Sequence, residues 1–552
     1  MDRRTITFIT VSVLIIVLYQ ELVLKRLPQA PPPELPAPTA NLDPTASPAD
    51  SGPAAATSPP TSTAPAAVEA DTAAVPSRDV TVDTDLFSAV FSTAGGRIKS
   101  FALKDFRTTN EPGSPPLELV VPGEETDLPM GVELRGAQVW SDARVAYDPS
   151  SDGLTVQGSE EATLELSAKI AGQPLVKRLT FRGDSYTIGL SVETPRASAL
   201  PKELVAAAAD GQPASVALLW AKSVHAATQQ AFEGAVALVD GKLVQTSIDS
   251  IEGQQVLNGK IGWTGFEDHY FLSAAAPERA SSVILKAHGS TIESKLVTPR
   301  EGDGPAQVGY TLFLGPKELK YLDAAGHDLA RAMNLGWFGP ISLLLLRILN
   351  LSHRFTGNYG VDIILLTCLV KIAFWPLTQK SFQSMREMQK LQPEMQRLRE
   401  KYKDDAKQMN SEIMELYKRH KVNPLGGCLP MVLQIPVFFG LYQLLASTIQ
   451  LRHAPFVLWI HDLSAPERLD VMGYGIPVLT LLLGATMFLQ QRMSPPAGDP
   501  AQQRIMMFMP LLFTFMFIGF PAGLTLYWLT NNVLTIAQQY FVLRSAPPAS
   551  PS

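Results

Sequence analysis

Lys371 is the residue of this chain best placed to do chemistry, because it lies inside the apolar run NYGVDIILLTCLVKIAFWPLTQ, from Asn358 to Gln379. About 20 apolar residues are enough to cross a bilayer as a helix. A charge near the middle of such a helix costs roughly 2.5–3.5 kcal/mol on insertion scales, so water or a partner must accompany it. Thr367 lies four residues earlier, on the same helical face. The spacing predicts one polar face on an otherwise apolar span.

Two interpretations of Lys371 remain open. Pro376 follows it by five residues and predicts a helix end about 7–10 Å from the ammonium. In that case the long side chain can snorkel to the cytoplasmic interface. The alternative is a wet internal site that polar residues from other spans help to line.

Polar residues recur in the later apolar segments. In the last segment they are spaced by three, four, three and four residues: Thr525, Trp528, Asn532, Thr535 and Gln539. This spacing places them on one helical face. Gln434 adds an amide from an earlier segment. Together with Thr367 and Lys371 these residues predict a hydrated groove, and the alternative is a set of hydrogen bonds that hold the helices together.

The composition argues against several classes of function. Asp362 is the one acid in the apolar core segments, whereas ion-coupled transporters carry paired intramembrane carboxylates. The net charge of −6 does not suggest a nucleic-acid binder, and the two cysteines, Cys368 and Cys428, predict neither a disulfide nor a zinc site. The sequence shows no nucleophile–base pair and no phosphate loop. We therefore expect no catalytic residue, metal or cofactor, and a protein that is not an enzyme.

The elements that position the polar residues predict an α-helical polytopic membrane protein with six spans, a five-span core bundle, a periplasmic β-sandwich domain and a cytoplasmic helical hairpin. Arg3 and Arg4 precede the first apolar run, which lacks a small-x-small cleavage site and therefore predicts an uncleaved anchor with a cytoplasmic N-terminus. The predicted segments are the signal-anchor span 1–27, a disordered Pro/Ala-rich linker 28–77, the β-sandwich domain 78–316, an amphipathic interfacial helix region 317–357, the second span 358–378, the cytoplasmic hairpin 379–422, the third to sixth spans 423–544 and a C-terminal tail 545–552.

The β-sandwich prediction rests on apolar residues that alternate with a period of two. They recur at Leu164, Leu166, Ala168 and Ile170, at Tyr186, Ile188, Leu190 and Val192, and at Val308, Tyr310, Leu312 and Leu314. Gly95-Gly96 and Gly183-Asp184 predict turns. The long linker before this domain predicts that the domain moves freely above the membrane. Glu267, Asp268 and His269 form a polar cluster that we interpret as surface or strand-end residues.

The outer regions carry membrane-interface signals. Arg347, His353 and Arg354 interrupt an apolar stretch and predict an interfacial helix on the outer leaflet. Trp459 is a predicted interface anchor in a short outer loop, and Val471 to Met493 is predicted to cross inward. Six spans place both termini in the cytoplasm. Five is the alternative count, with Met506–Leu543 as one kinked segment that is too long for a single crossing.

The cytoplasmic hairpin is predicted from two apolar stripes that can zip together in antiparallel fashion. The first contains Met385, Met388, Leu391, Met395, Leu398 and Tyr402, and the second contains Met409, Ile413, Leu416 and Tyr417. Pro393 should kink or restart the first helix. An excess of lysine and arginine places the hairpin in the cytoplasm. Methionines adapt to varied partners, so Met385, Met388, Met395 and Met409 are predicted to receive substrates, although packing inside the hairpin accounts for most of them.

Several motifs resemble those of the YidC/Oxa/Alb family of insertases, in the bacterial inner-membrane type with a large periplasmic domain. They are KVNPLGGCLPMVLQIPVF, APFVLWIHDLS, MSPP, FMP and FPAGLTLYW. The resemblance implies an insertase and chaperone for inner-membrane proteins, acting alone or with the Sec translocon and its accessory proteins. It also implies a groove open to the cytoplasm and to lipid, and nascent membrane proteins as partners.

The resemblance extends to individual positions. The family's groove arginine matches Lys371, its functional threonine matches Thr367, and its aromatic pair in the last span matches Tyr527 and Trp528. Lysine keeps the charge but loses the bidentate grip of arginine. The chain ends in SAPPASPS rather than a basic tail, so only a weak ribosome contact is expected.

Two other functions remain alternatives. One is a small-solute membrane transporter. The other is a membrane-anchored periplasmic carbohydrate-binding module, since the β-domain resembles sugar-mutarotase folds.

Overall fold

The computed structural model describes residues 77–120, 128–208, 211–223, 233–280, 282–289, 291–403, 405–420, 422, 429–493 and 500–544. The predicted signal anchor, the linker up to residue 76 and the C-terminal tail lie outside the described residues.

The β-domain is built from three sheets. Its strands are β1 (Asp79–Thr84), β2 (Phe87–Ser92), β3 (Arg97–Arg107), β4 (Pro116–Val120), β5 (Gly131–Arg135), β6 (Val139–Ser141), β7 (Asp148–Pro149), β8 (Gly153–Val156), β9 (Glu161–Ile170), β10 (Gln173–Arg182), β11 (Thr187–Thr194), β12 (Ser215–Ser223), β13 (Gly234–Val239), β14 (Lys242–Thr246), β15 (Gln254–Asn258), β16 (Ile261–Glu267), β17 (Phe271–Pro277), β18 (Ser282–His288), β19 (Thr291–Pro299) and β20 (Ala306–Pro316). The sheet orders are β4-β3-β2-β1-β8, β14-β13-β16-β17-β20-β11-β10-β9-β7 and β15-β18-β19-β12-β5-β6. Described neighbours pair antiparallel, except that β1 and β8 run parallel.

The predicted alternation is confirmed in β11 and in part of β9, whereas β20 alternates only up to Leu312 and is buried on both faces from there to Pro316. In β9, Leu164 and Leu166 are fully buried, and in β11 Ile188, Leu190 and Val192 are buried while their neighbours are not. Gly95 and Gly96 adopt φ values of +70° and +54° in the turn between β2 and β3, a region that glycine enters without strain.

A charged cluster lies at the centre of the β-domain. Asp142 accepts a hydrogen bond from the Tyr147 hydroxyl at 3.0 Å and pairs with Lys177 at 2.7 Å. The Arg97 guanidinium lies 3.5 Å from the same carboxylate. Burial lowers the pKa of Lys177 to about 8 and raises that of Tyr147. Because Lys177 also donates to the Gly95 and Met130 carbonyls, the cluster joins the middle of β10 to the turn between β2 and β3 and to the start of β5.

The polar cluster of Glu267, Asp268 and His269 has a structural role. Asp268 accepts from the backbone of Tyr270 and Phe271 and shapes the turn before β17. His269 hydrogen-bonds the Ala446 carbonyl, and burial lowers its pKa. Glu267 is the last residue of β16, as predicted for a strand-end residue, and it is buried against Lys317, 3.4 Å away.

The second half is helical. The helices in chain order are α1 (Lys202–Val205, within the β-domain), α2 (Leu319–Ala325), α3 (Gly339–Thr356), α4 (Tyr359–Lys390), α5 (Gln392–Lys401), α6 (Ala406–Arg419), α7 (Leu429–Ser447), α8 (Val478–Met493), α9 (Pro500–Phe517) and α10 (Ala522–Arg544), and a two-stranded hairpin, β21 (Leu469–Val471) and β22 (Tyr474–Ile476), precedes α8. α10 packs against both α4 and α8, α3 packs against α4 and α7, and α9 packs against α8.

One of the described helices, α4, is long and apolar enough to cross a membrane by length and composition. A shorter apolar stretch, Met507–Phe517, lies in α9. The count of six spans therefore stays a prediction.

Two predicted boundaries are wrong. α4 does not end near Pro376 but continues to Lys390, about 48 Å in all, because one missing N–H removes one backbone bond while good helix formers follow. The segment from Val471 to Ile476 is not the start of a span. It belongs to the β21–β22 hairpin, and α8 begins at Val478.

The hairpin that was predicted to be cytoplasmic is formed by α5 and α6 and continues directly from α4. Pro393 lies in the first turn of α5, where a proline is tolerated, so it restarts the helix. The Tyr417 hydroxyl lies 2.9 Å from the Met395 sulfur, and His420 lies 3.9 Å from Glu394. Since the end of α6 meets the start of α5, the two helices run antiparallel.

The β-domain contacts the loop between α7 and α8. Arg452 donates to the Arg107 carbonyl at 2.8 Å and lies 5.7 Å from the Phe271 ring centroid. The Asn110 amide donates to the His461 carbonyl at 2.9 Å. The expectation of a freely moving domain is therefore wrong for this structure.

Candidate functional site: a polar interior around Lys371

Lys371 points across the helix bundle. Its ammonium donates to the Thr535 hydroxyl on α10 at 2.7 Å, and its side chain is half-buried. Within the described part of the chain it forms no ion pair. This direction, towards α10 rather than along α4, favours an internal site over snorkelling.

Thr535 can receive the ammonium because its own proton is used elsewhere. Its hydroxyl donates to the Asn531 carbonyl, one turn earlier, at 2.6 Å. Such back-bonding is common for threonine in helices and leaves the oxygen lone pairs free. Thr535 thus presents an acceptor to Lys371.

Gln434 connects α7 to the same face of α10. Its amide donates to the Asn531 side-chain oxygen at 3.0 Å and lies 3.4 Å from the Tyr527 hydroxyl. Tyr527 and Asn531 are buried. Asn531 was not among the predicted site residues, although its spacing of four from both Tyr527 and Thr535 identifies it. Three helices therefore meet along one polar path from Lys371 to Gln434.

Three buried donors on α10 have no hydrogen-bond partner among the described residues: Trp528 Nε1, Asn532 Nδ2 and Gln538 Nε2. Asn532 is 5% exposed and Gln538 is 2% exposed. An unsatisfied buried donor costs about 1–3 kcal/mol, so each gains from an added acceptor. The Trp528 ring itself packs between Phe438 and Phe517, in an aromatic cluster rather than a polar lining.

Thr367 does not line an open surface. It is 1% exposed, and its hydroxyl donates to the Ile363 carbonyl of its own helix at 2.6 Å. The predicted place of Thr367 in the groove stays a prediction. Gln539 donates to the Met493 carbonyl at the end of α8.

The methionines predicted for the hairpin of α5 and α6 differ in their surroundings. Met388 and Met395 pack against its small core of Leu391, Leu416 and Val422. Met409 is half-buried, and the Met385 side chain lies outside the described residues. Met414 was not among the predicted residues and is 49% exposed.

The end of the bundle at the start of α8, which was predicted to be the outer end, is held by Glu467. This buried carboxylate accepts from the backbone of Leu479 at 2.5 Å and Thr480 at 3.3 Å, at the N-terminus of α8. Anions are favoured there because the first N–H groups lack helical partners. Trp459 donates to Glu467 at 3.0 Å, and its role as an interface anchor stays a prediction.

A second contact at the same end of the bundle joins α3 to α4. Asp362 is fully buried and accepts from Thr356 at 2.7 Å and pairs with His353 at 2.8 Å. The His353 ring stacks on Tyr359 with centroids 3.6 Å apart. The acid that the sequence singled out thus fixes α3 against α4, far from Lys371.

Comparison with known proteins identifies relatives over nearly the whole chain. The family model described as 60Kd inner membrane protein matches residues 351–549, and the YidC periplasmic domain model matches residues 79–348. Membrane protein insertase YidC from Syntrophus aciditrophicus is 38% identical and covers 99% of this chain and 100% of its own. The protein of that name from Geobacter sulfurreducens is 40% identical over 85% of this chain and 86% of its own. A crystal structure of an active YidC insertase with its first transmembrane domain resolved aligns with 83% of this chain and 91% of its own, at 18% identity and a TM-score of 0.36.

Proposed function

This chain belongs to the YidC family of membrane protein insertases, and we propose that it inserts its substrates through the polar interior around Lys371. Its function is the insertion of membrane proteins, and its place is the inner membrane. Transport of small solutes and carbohydrate binding find no support among its relatives.

The observation that carries the proposal is the bonding state of the Lys371 ammonium. An ammonium has three donors, and one of them is used by Thr535. Within the described residues no carboxylate neutralises it, so an incoming acidic or polar segment can. The unpaired amides of Asn532 and Gln538 offer further donors to the backbone carbonyls of such a segment.

The driving force follows from the two parts of a substrate. Moving a polar segment into lipid is costly, and a polar interior lowers that cost. The apolar segment then moves from the protein into the hydrocarbon, where burial of its surface is favourable. No covalent step is required.

The direction of access is part of the proposal. The loop between α7 and α8 covers the outer end, where the Ala465 carbonyl accepts from Ala522 at 2.8 Å and the Leu463 carbonyl from Gly523 at 2.9 Å. These bonds support a groove closed on the outside and entered from the cytoplasm. We further propose six spans, both termini in the cytoplasm, cooperation with the Sec translocon, and nascent chains that first meet the cytoplasmic hairpin.

Site-specific photocrosslinking tests this proposal. A photoreactive residue at Thr535 should crosslink to the translocated polar segment of a stalled two-span nascent chain. The matched control is Val533 on the same helix, which is 48% exposed on another face and should not crosslink to that segment. Crosslinks to the polar segment at Val533 but not at Thr535 would refute the proposed path.

A further inference from the structure

The β21–β22 hairpin exposes a cluster of apolar side chains at the outer end of the bundle. Met472 is 96% exposed and Tyr474 is 78% exposed, and Val471 and Ile476 are also exposed. We refer to Leu469–Ile476 as the outer hairpin. Its one charged residue is Asp470.

The backbone of the outer hairpin largely satisfies itself. Val471 pairs with Tyr474 and Leu469 with Ile476. Met472 and Gly473 have φ values of +54° and +83°, as in the two-residue turns that match strand twist. The Asp470 carboxylate accepts from the Gly473 amide at 2.9 Å. The tip can therefore leave bulk water with few unpaired polar groups.

The base of the outer hairpin is fixed beside two helices with exposed apolar surfaces. α8 begins at Val478, and its residues Leu481 and Leu482 are about half exposed. Arg468 donates to the Ile518 carbonyl at 2.9 Å, immediately after α9 ends. On α9, Leu511 and Phe515 are 70% and 76% exposed. The apolar surface of the outer hairpin therefore continues that of α8 and α9.

We propose that the outer hairpin is a membrane anchor that inserts Met472 and Tyr474 into the interfacial layer of the outer leaflet. A strand of three residues reaches about 10 Å from its base, which matches the 5–10 Å depth at which interfacial elements are buried. Tyrosine is enriched in that layer because its ring is apolar and its hydroxyl stays hydrated. Lipid is the partner that the continuity with α8 and α9 selects. The anchor is independent of the polar interior, so either proposal can fail without the other.

Spin-label accessibility in vesicles tests this inference. The full chain, with Cys368 and Cys428 replaced by serine, is reconstituted into phosphatidylethanolamine and phosphatidylglycerol vesicles with a nitroxide on Met472→Cys. The lipid reference is Leu511→Cys. The water reference is Asp152→Cys in the β-domain, where the aspartate side chain is 91% exposed. Collision rates with oxygen, which concentrates in lipid, are compared with those of a water-soluble nickel chelate.

The ratio of oxygen to nickel collisions at Met472 should exceed that at Asp152 several-fold and approach that at Leu511. A ratio equal to that at Asp152 would overturn the inference. Shielding from both reagents would overturn it as well, because it would indicate contact with protein, such as a second copy. Tyr474→Cys carries the same test if the Met472 variant does not fold, and both keep Gly473 in its turn.

Discussion

Replacement of Lys371 tests whether its charge acts on substrates. Lys371→Arg, Lys371→Met and Lys371→Glu differ in charge while keeping a long side chain. Among the described residues the ammonium has one partner, the neutral Thr535 hydroxyl, and no acid that compensates its charge. We therefore expect arginine to retain activity, and methionine and glutamate to impair insertion of substrates with acidic translocated segments.

The size of the effect follows from Coulomb's law. A carboxylate about 4 Å from the ammonium gains about 1 kcal/mol in bulk water and about 4 kcal/mol at the effective dielectric constant of a protein surface. Because 1.4 kcal/mol corresponds to a factor of ten, Lys371→Met should slow insertion of an acidic segment by about 5-fold to 1,000-fold. A neutral segment should change little. Lys371→Glu should be worse than methionine because it adds repulsion.

The assay is insertion of paired substrates that differ only in aspartate or asparagine within the translocated segment. Each variant is compared at matched protein level in cells depleted of the wild-type chain. Ile372→Met is the matched control, since Ile372 is the next residue and is 72% exposed. Loss of the lysine removes a charge from α4 and should therefore favour, not hinder, insertion of α4 itself into the membrane. If Lys371→Met inserts both substrates as well as the wild type does, the charge of Lys371 does not act on substrates, as expected of a snorkelling lysine.

Three further predictions concern the elements around the polar interior. Asp362→Ala should lower the free energy of unfolding of the purified protein by about 1–3 kcal/mol, because His353 loses its buried acceptor. Asp362→Asn should lower it less, and equal melting temperatures for Asp362→Ala and wild type would contradict this prediction. Glu467→Ala should cost about 1–2 kcal/mol through the uncapped start of α8, and Glu467→Gln should recover part of it, as measured by the same melts. Deletion of roughly residues 80–310, with α3 retained as an interfacial element, should leave substantial insertion because the polar interior lies in α4, α7 and α10; complete loss in a stably expressed deletion would show that the β-domain takes part.

Local patterns predicted the elements that a single period defines. Strands such as β9 and β11, with one buried face, and the antiparallel hairpin of α5 and α6 follow directly from their apolar spacing. The outer hairpin could not be found in this way. Val471, Met472, Tyr474 and Ile476 are as apolar as a span, and only the turn at Met472-Gly473 distinguishes them from one.

The stripe on α10 shows why the site was only partly predictable. Helical spacing defines a face but not the neighbour that covers it, and α10 is packed against both α4 and α8. The predicted stripe therefore meets more than one neighbour. Thr535 contacts Lys371 on α4, whereas Gln539, one turn later, contacts the end of α8. Asn531, one turn before Thr535, contacts Gln434 on α7 and was not included in the stripe.

The two interpretations of the polar residues, a groove or bonds between helices, apply to different members of the set. Gln434 and Asn531 bond each other across α7 and α10, as interhelical contacts do. Purely structural polar groups should be paired, because a buried donor without a partner is destabilising. Asn532 and Gln538 have unpaired donors among the described residues, and Lys371 retains an uncompensated charge. Stability alone does not account for these three groups, so they favour a site that is completed by what passes through it.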